Sequence, residues 1–154
     1  MKAWAVIILG SLLLAATPGL CQHPNLSGLW ERGESGNSVV YSVDHQDAVL
    51  KFSFKSSFQA GSLAGGLSGS GTYGIDGVER HTSAGNGRES WITVNWEGPT
   101  LIILRVMKDG YRVSVTREAW SLSEEGRTLT RTKRDITMDG VRESAETFHR
   151  RVVQ

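Results

Sequence analysis

The 154-residue chain has a single cysteine, Cys21, only four histidines, and no excess of either charge. Each scarcity removes a class of function. Cys21 lies in a segment that reads as a cleavable leader, so the mature chain has no disulfide and its fold rests on burial. His23, His45, His81 and His149 fall on a tail, a turn, a loop and the last strand, with no pair at metal-ligand spacing, so no metal is expected. Seventeen Lys and Arg oppose sixteen Asp and Glu, and losing Lys2 with the leader brings the net charge from +1 to zero. That balance gives no electrostatic basis for a nucleic-acid partner. Serines are plentiful, but Gly66-Leu67-Ser68-Gly69 lacks the strand and helix that flank a nucleophile elbow. Nor do the glycines of 61–71 follow a strand and open a helix, as a phosphate loop does. No catalytic residue and no cofactor are expected, and past the leader no apolar period of 3.6 persists over three turns, so helix should be scarce.

The leader is residues 1–21. Lys2 gives a positive start, Ala3 to Ala16 is almost wholly apolar, and Gly19 and Cys21 suit cleavage before Gln22, with a site near Ala16 as the alternative. The apolar run is shorter than the roughly 20 residues of a membrane span and is broken by Pro18. No integral span remains after cleavage. Pro18 and Leu20 occupy places where a lipoprotein box needs Leu and a small residue, so a secreted or periplasmic bacterial protein without lipid is expected. Residues 22–154 make one domain, long enough to bury about two-thirds of its unfolded surface.

From Ser90 onward, strand-forming runs alternate with short turns: Glu97-Gly98-Pro99, Lys108-Asp109-Gly110, Ser123-Glu124-Glu125-Gly126 and Met138-Asp139-Gly140. This is the pattern of consecutive antiparallel hairpins. Upstream, Leu26–Glu31 reads as a strand, and Ser38–Asp44 and Ala48–Ser56 as a hairpin turning at His45-Gln46-Asp47. Alternation gathers Val39, Tyr41 and Val43 on one face of the first arm, and Leu50, Phe52 and Phe54 on one face of the second. Ala60–Gly71 reads as a glycine-rich loop, or as a lid whose Leu63 and Leu67 dip into a cavity. Arg80–Glu89 reads as a second loop, and one or two strands lie around Thr72–Glu79. Tyr111, Val113 and Val115 are out of phase with Trp120 and Leu122, which predicts a β-bulge near Arg117. Nine or ten strands without a long crossover favour an all-β, up-and-down antiparallel meander closing into a barrel of about 8–10 strands.

The opening Ser27-Gly28-Leu29-Trp30 resembles the Gly-x-Trp motif on the first strand of lipocalins. The run from Trp91 through Trp96-Glu97-Gly98-Pro99-Thr100-Leu101 to Trp120-Ser121-Leu122-Ser123-Glu124-Glu125-Gly126 is similar to lipocalin-like secreted proteins of soil bacteria such as acidobacteria. The resemblance spans nearly all of the mature chain. It implies a lipocalin-like barrel, a small hydrophobic ligand, and an arginine of the last strand, Arg150 or Arg151, packed on Trp30. The missing disulfide, the missing C-terminal helix and the Gly/Ser stretch depart from true lipocalins.

The aromatic set Trp30, Phe52, Phe54, Trp91, Trp96, Tyr111 and Trp120 either lines a cavity or fills a small barrel. Alternation with Leu101 and Ile103 turns Arg105 inward, where it would meet an anionic head group. Phe52, Phe54, Val94, Trp96 and Arg105 are therefore the candidate ligand contacts, and Gly28, Trp30 and Trp120 the structural residues. The basic run Arg127 to Arg134 reads as a solvated face paired with Glu143 and Glu146. The expected function is non-catalytic binding of a small apolar or amphipathic molecule. The alternatives are a filled barrel serving as an envelope interaction module, and a barrel isomerase or cyclase using Arg105 with Asn95 or Glu118.

Overall fold

The structure, a computed structural model, describes residues 23–34 and 37–152. The expected leader, residues 1–21, and its expected cleavage site lie outside the described residues. Ten strands follow one another: β1 (Gly28–Glu34), β2 (Asn37–Gln46), β3 (Val49–Ala60), β4 (Leu63–Gly74), β5 (Arg80–Ser83), β6 (Arg88–Glu97), β7 (Thr100–Asp109), β8 (Arg112–Leu122), β9 (Thr128–Thr137) and β10 (Gly140–Arg150). They form one antiparallel sheet in the order β4-β3-β2-β1-β10-β9-β8-β7-β6-β5, with β4 and β5 at its two edges. The first and last strands are neighbours, joined at Trp30↔Arg150 and Glu31↔His149. Among the described residues there is no helix, and hence none long and apolar enough to cross a membrane. The hairpin turns form where glycine supplies positive φ, as at Gly98 (+59°) and Gly110 (+60°).

The sheet is strongly curled. From β3 to β8 there are five strand steps, roughly 24 Å across a flat sheet at about 4.8 Å per step. Yet the ring centres of Phe52 on β3 and Trp120 on β8 are 6.2 Å apart, and Tyr41 on β2 is 5.9 Å from Trp120. The inner face this creates carries the core: Leu26, Trp30, Tyr41, Val43, Leu50, Val94, Leu101, Ile103, Trp120, Leu129 and Phe148. Most strands contribute their apolar alternates to it, as period-two patterning requires.

Three local expectations are corrected. The glycine-rich stretch is neither loop nor lid but edge strand β4, paired with β3 without interruption from Val49↔Gly74 to Ala60↔Leu63. Its glycines serve packing. Phe52, Phe54 and Phe58 are directly opposite Gly71, Gly69 and Gly65, and their rings occupy the space a side chain would need. A Cβ on these three glycines would approach ring carbons to 2.7, 2.6 and 2.5 Å. Cross-strand aromatic cover of glycine compensates for its poor strand propensity. Leu63 and Leu67 consequently stand on the far part of this hairpin, 72% and 71% exposed.

The bulge near Arg117 is also absent. The β7–β8 ladder runs unbroken from Leu101↔Trp120 to Asp109↔Arg112, and β8–β9 from Val115↔Ile136 to Leu122↔Leu129. The phase conflict disappears because Tyr111, Val113 and Val115 are on the outer face, with Tyr111 80% exposed. Finally, residues 80–89 are not one loop. Arg80–Ser83 forms β5, whose partner is β6, and a turn at 84–87 joins them.

Candidate ligand-binding hollow

Residues of β1 and its approach pack against the end of β10. Trp30 is fully buried and its indole N–H donates to the Leu26 carbonyl at 2.9 Å. Arg150, rather than Arg151, lies over the indole, its guanidinium carbon 4.3 Å from the ring centre. The Arg150 guanidinium also donates to the Ser27 and Gly126 carbonyls, both at 2.8 Å. Gly28 leaves room for it: a Cβ there would be 2.8 Å from Arg150 Nη1, and the Gly28 φ of +148° disfavours any other residue. Arg151 instead pairs with Glu31 at 3.8 Å.

Beyond the core, the inner face changes character. A hollow of about 450 Å³ is bounded by Tyr41, Phe52, Phe54, Tyr73, Ile103 and Trp120, together with the polar side chains of Arg105, Glu118, Arg131 and Lys133. Its aromatic wall is continuous, since Phe52 is 5.2 Å from Tyr73 and Tyr41 is 5.7 Å from Phe54. Its volume is within the range of a small-molecule site, and its lining combines aromatic rings with four charged side chains.

The charges of the hollow are unequally compensated. Arg131 bonds Glu146 at 2.8 Å and donates to the Tyr41 hydroxyl. Glu146 also holds Arg32 at 2.8 Å. Lys133 pairs with Asp135 at 2.8 Å, and Asp135 accepts the Thr116 hydroxyl at 2.6 Å. Burial would raise the Asp135 carboxyl pKa, but the bonds from Lys133 and Thr116 outweigh it and the value falls below its ordinary one. Arg105 differs: its guanidinium donates to the Tyr73 hydroxyl at 2.7 Å, and no carboxylate among the described residues is within ion-pair distance. Burial raises the Tyr73 pKa although Arg105 opposes it, and burial does the same for Tyr41 against Arg131. Both phenols therefore keep their protons at neutral pH.

Of the candidate contacts, Phe52, Phe54 and Arg105 meet at the hollow. Val94 does not reach it, being 1% exposed within the core. Trp96 is at a different place, stacked on His23 at 4.7 Å and beside His45 at 5.7 Å. Trp120 joins core and hollow, its indole N–H donating to Glu118 at 3.1 Å. Asn95 is out of phase with Val94 and so faces away from Arg105, whereas Glu118 shares the hollow with Arg105 without pairing to it. Trp91 stacks on His81 at 4.8 Å on the outer face. Among the described residues no three His, Cys, Asp or Glu gather as a metal site would require.

Sequence reasoning missed Tyr73, Arg131 and Lys133 as lining residues. Arg131 and Lys133 belong to a basic run that alternation divides between two faces: Arg131 bonds Glu146 inside, while Arg134 pairs with Glu143 outside at 3.3 Å. Period two was the available signal for that division. Tyr73 became legible only once β4 was recognised as a strand. No protein-family model matches the chain, and no curated protein matches it either.

Proposed function

We propose that this chain is an exported, secreted or periplasmic, non-catalytic binding protein that holds a small apolar or amphipathic molecule on the inner face of a lipocalin-like barrel. The observation that carries this reading is the 450 Å³ hollow with its aromatic wall. Barrel closure is supported by two bonds that bridge the region between the edges: Gly77 N–H to the Val94 carbonyl at 2.9 Å, and Arg105 to Tyr73 at 2.7 Å. The Gly28, Trp30 and Arg150 arrangement supports the lipocalin-like assignment. The hollow offers a ligand stacking surfaces, which bind without chemistry.

A titration with phenylnaphthylamine, a neutral dye that fluoresces in apolar surroundings, tests the reading. Saturable uptake at one site is expected, with Phe52→Ala weakening it and Trp91→Ala leaving it unchanged. Absence of uptake by a protein with a cooperative melt would favour a filled barrel acting as an interaction module.

A further inference from the structure

We infer that the ligand of the hollow is a monoanion with an apolar body, its acidic group held by Arg105 and Tyr73 while the body lies against Phe52, Phe54 and Trp120. This rests on the binding reading above and specifies its chemical class.

Three cations border the hollow, and two of them already hold carboxylates of the protein, Arg131 that of Glu146 and Lys133 that of Asp135. Arg105 alone is left with a neutral partner. A half-buried guanidinium of this kind is incompletely satisfied, and bidentate pairing with a carboxylate or sulfonate is its strongest available interaction. Direction matters as well. The Tyr73 oxygen accepts from Arg105, so its own proton points elsewhere and has no protein acceptor among the described residues. Tyr41 stands in the same relation to Arg131. A phenol O–H beside a guanidinium makes a donor pair suited to an oxyanion and unsuited to a cation.

Glu118 limits the charge to one. In register it is opposite Ile103, two residues along β8 from the Thr116 that faces Arg105. Its carboxylate accepts from the Trp120 indole rather than from Arg105, and it repels a ligand with two negative groups more strongly than a monoanion. The apolar body follows from the aromatic wall: Phe52 on Tyr73, and Trp120 edge-on to Phe52 and Tyr41. Glycines 69 and 71 allow Phe54 and Phe52 to lie close to β4 rather than project into the space.

The test compares two dyes of one skeleton, anilinonaphthalene sulfonate and neutral phenylnaphthylamine, on the full mature chain and on Arg105→Gln, Arg105→Lys and Tyr73→Phe, with melting temperatures matched. Arg105→Gln is expected to weaken the sulfonate by at least about tenfold, the worth of a charge-assisted hydrogen bond, and to leave the neutral dye unchanged. Arg105→Lys should retain part of the sulfonate affinity, since charge remains but the fork is lost. If Arg105→Gln does not fold, Tyr73→Phe carries the test, with a severalfold selective loss of the sulfonate expected. Unchanged sulfonate binding, or equal loss of both dyes, overturns the anion assignment and leaves the binding reading standing. Failure of the wild-type chain to take up either dye overturns both.

Discussion

The ring of Phe54 occupies the place where a side chain at residue 69 would stand: a Cβ added to Gly69 would be 2.6 Å from Phe54 Cε1 and 3.1 Å from Cζ. The pair is directly opposed across β3 and β4. An edge strand with almost no side-chain bulk is thereby fastened to the sheet by its neighbour's aromatics, and Phe54 is set against the wall of the hollow.

Gly69→Val should therefore destabilise the fold by about 1–3 kcal/mol, the usual cost of forcing volume into a filled site. Gly85→Ala is the control, since nothing lies within 4 Å of its added Cβ and its φ is not positive. Urea melts of the two variants check this; equal midpoints would contradict the packing role of the β4 glycines.

Trp30→Ala should cost about 3–5 kcal/mol, as truncation of a fully buried indole does. Arg150→Gln should cost less, about 1–3 kcal/mol, for the loss of a stacked cation and two bonds to carbonyls. Arg151→Gln should be within about 0.5 kcal/mol of wild type, because its ion pair with Glu31 is exposed.

Asp76 accepts from Arg80 at 2.7 and 2.9 Å and from the Val78 N–H at 3.0 Å, and these bonds hold its pKa down to about 2. A depressed carboxylate contributes stability above its unfolded pKa, and that contribution disappears as pH falls toward 2. Both side chains are solvent-exposed, so the contribution is small. Carboxyl NMR titration should place the wild-type midpoint near 2, and Arg80→Gln should move it up toward the ordinary 3.8. An unmoved midpoint would show that Arg80 is not the cause.

β4 is twelve residues long and carries no charge, whereas the opposite edge, β5, has four residues and presents Arg80 and His81. Long uncharged edges invite pairing with other chains, and a lysine blunts them. Leu67→Lys should leave the urea midpoint unchanged, since Leu67 is 71% exposed, while raising the concentration at which light scattering first detects association. No shift in that onset would argue that β4 is protected in some other way.

Much of the sheet was legible because its signals are local. Period-two alternation identified β2, β3 and the meander from β6 to β10, and glycine and acidic turns separated the strands. The β4 strand was hidden because its stability comes from phenylalanines of another strand rather than its own side chains. The supposed bulge arose from assuming that Tyr111, Val113 and Val115 must face the core, whereas they lie on the outer surface. The site was half visible: Phe52, Phe54 and Arg105 follow from alternation, while Tyr73 depends on β4. Which charges are compensated depends on contacts such as Arg131 to Glu146 and Lys133 to Asp135, and no spacing rule reports those.

The hollow, and no other surface, is expected to take up an apolar molecule. The most direct test of this is an NMR titration of the uniformly labelled chain of residues 22–154 with phenylnaphthylamine, mapping shift changes onto the sheet. Changes concentrated at Phe52, Phe54, Tyr73, Arg105 and Trp120, with Trp91, Tyr111 and Val141 unmoved, are expected. Changes centred on those outer-face residues, or none at saturating dye, would contradict it.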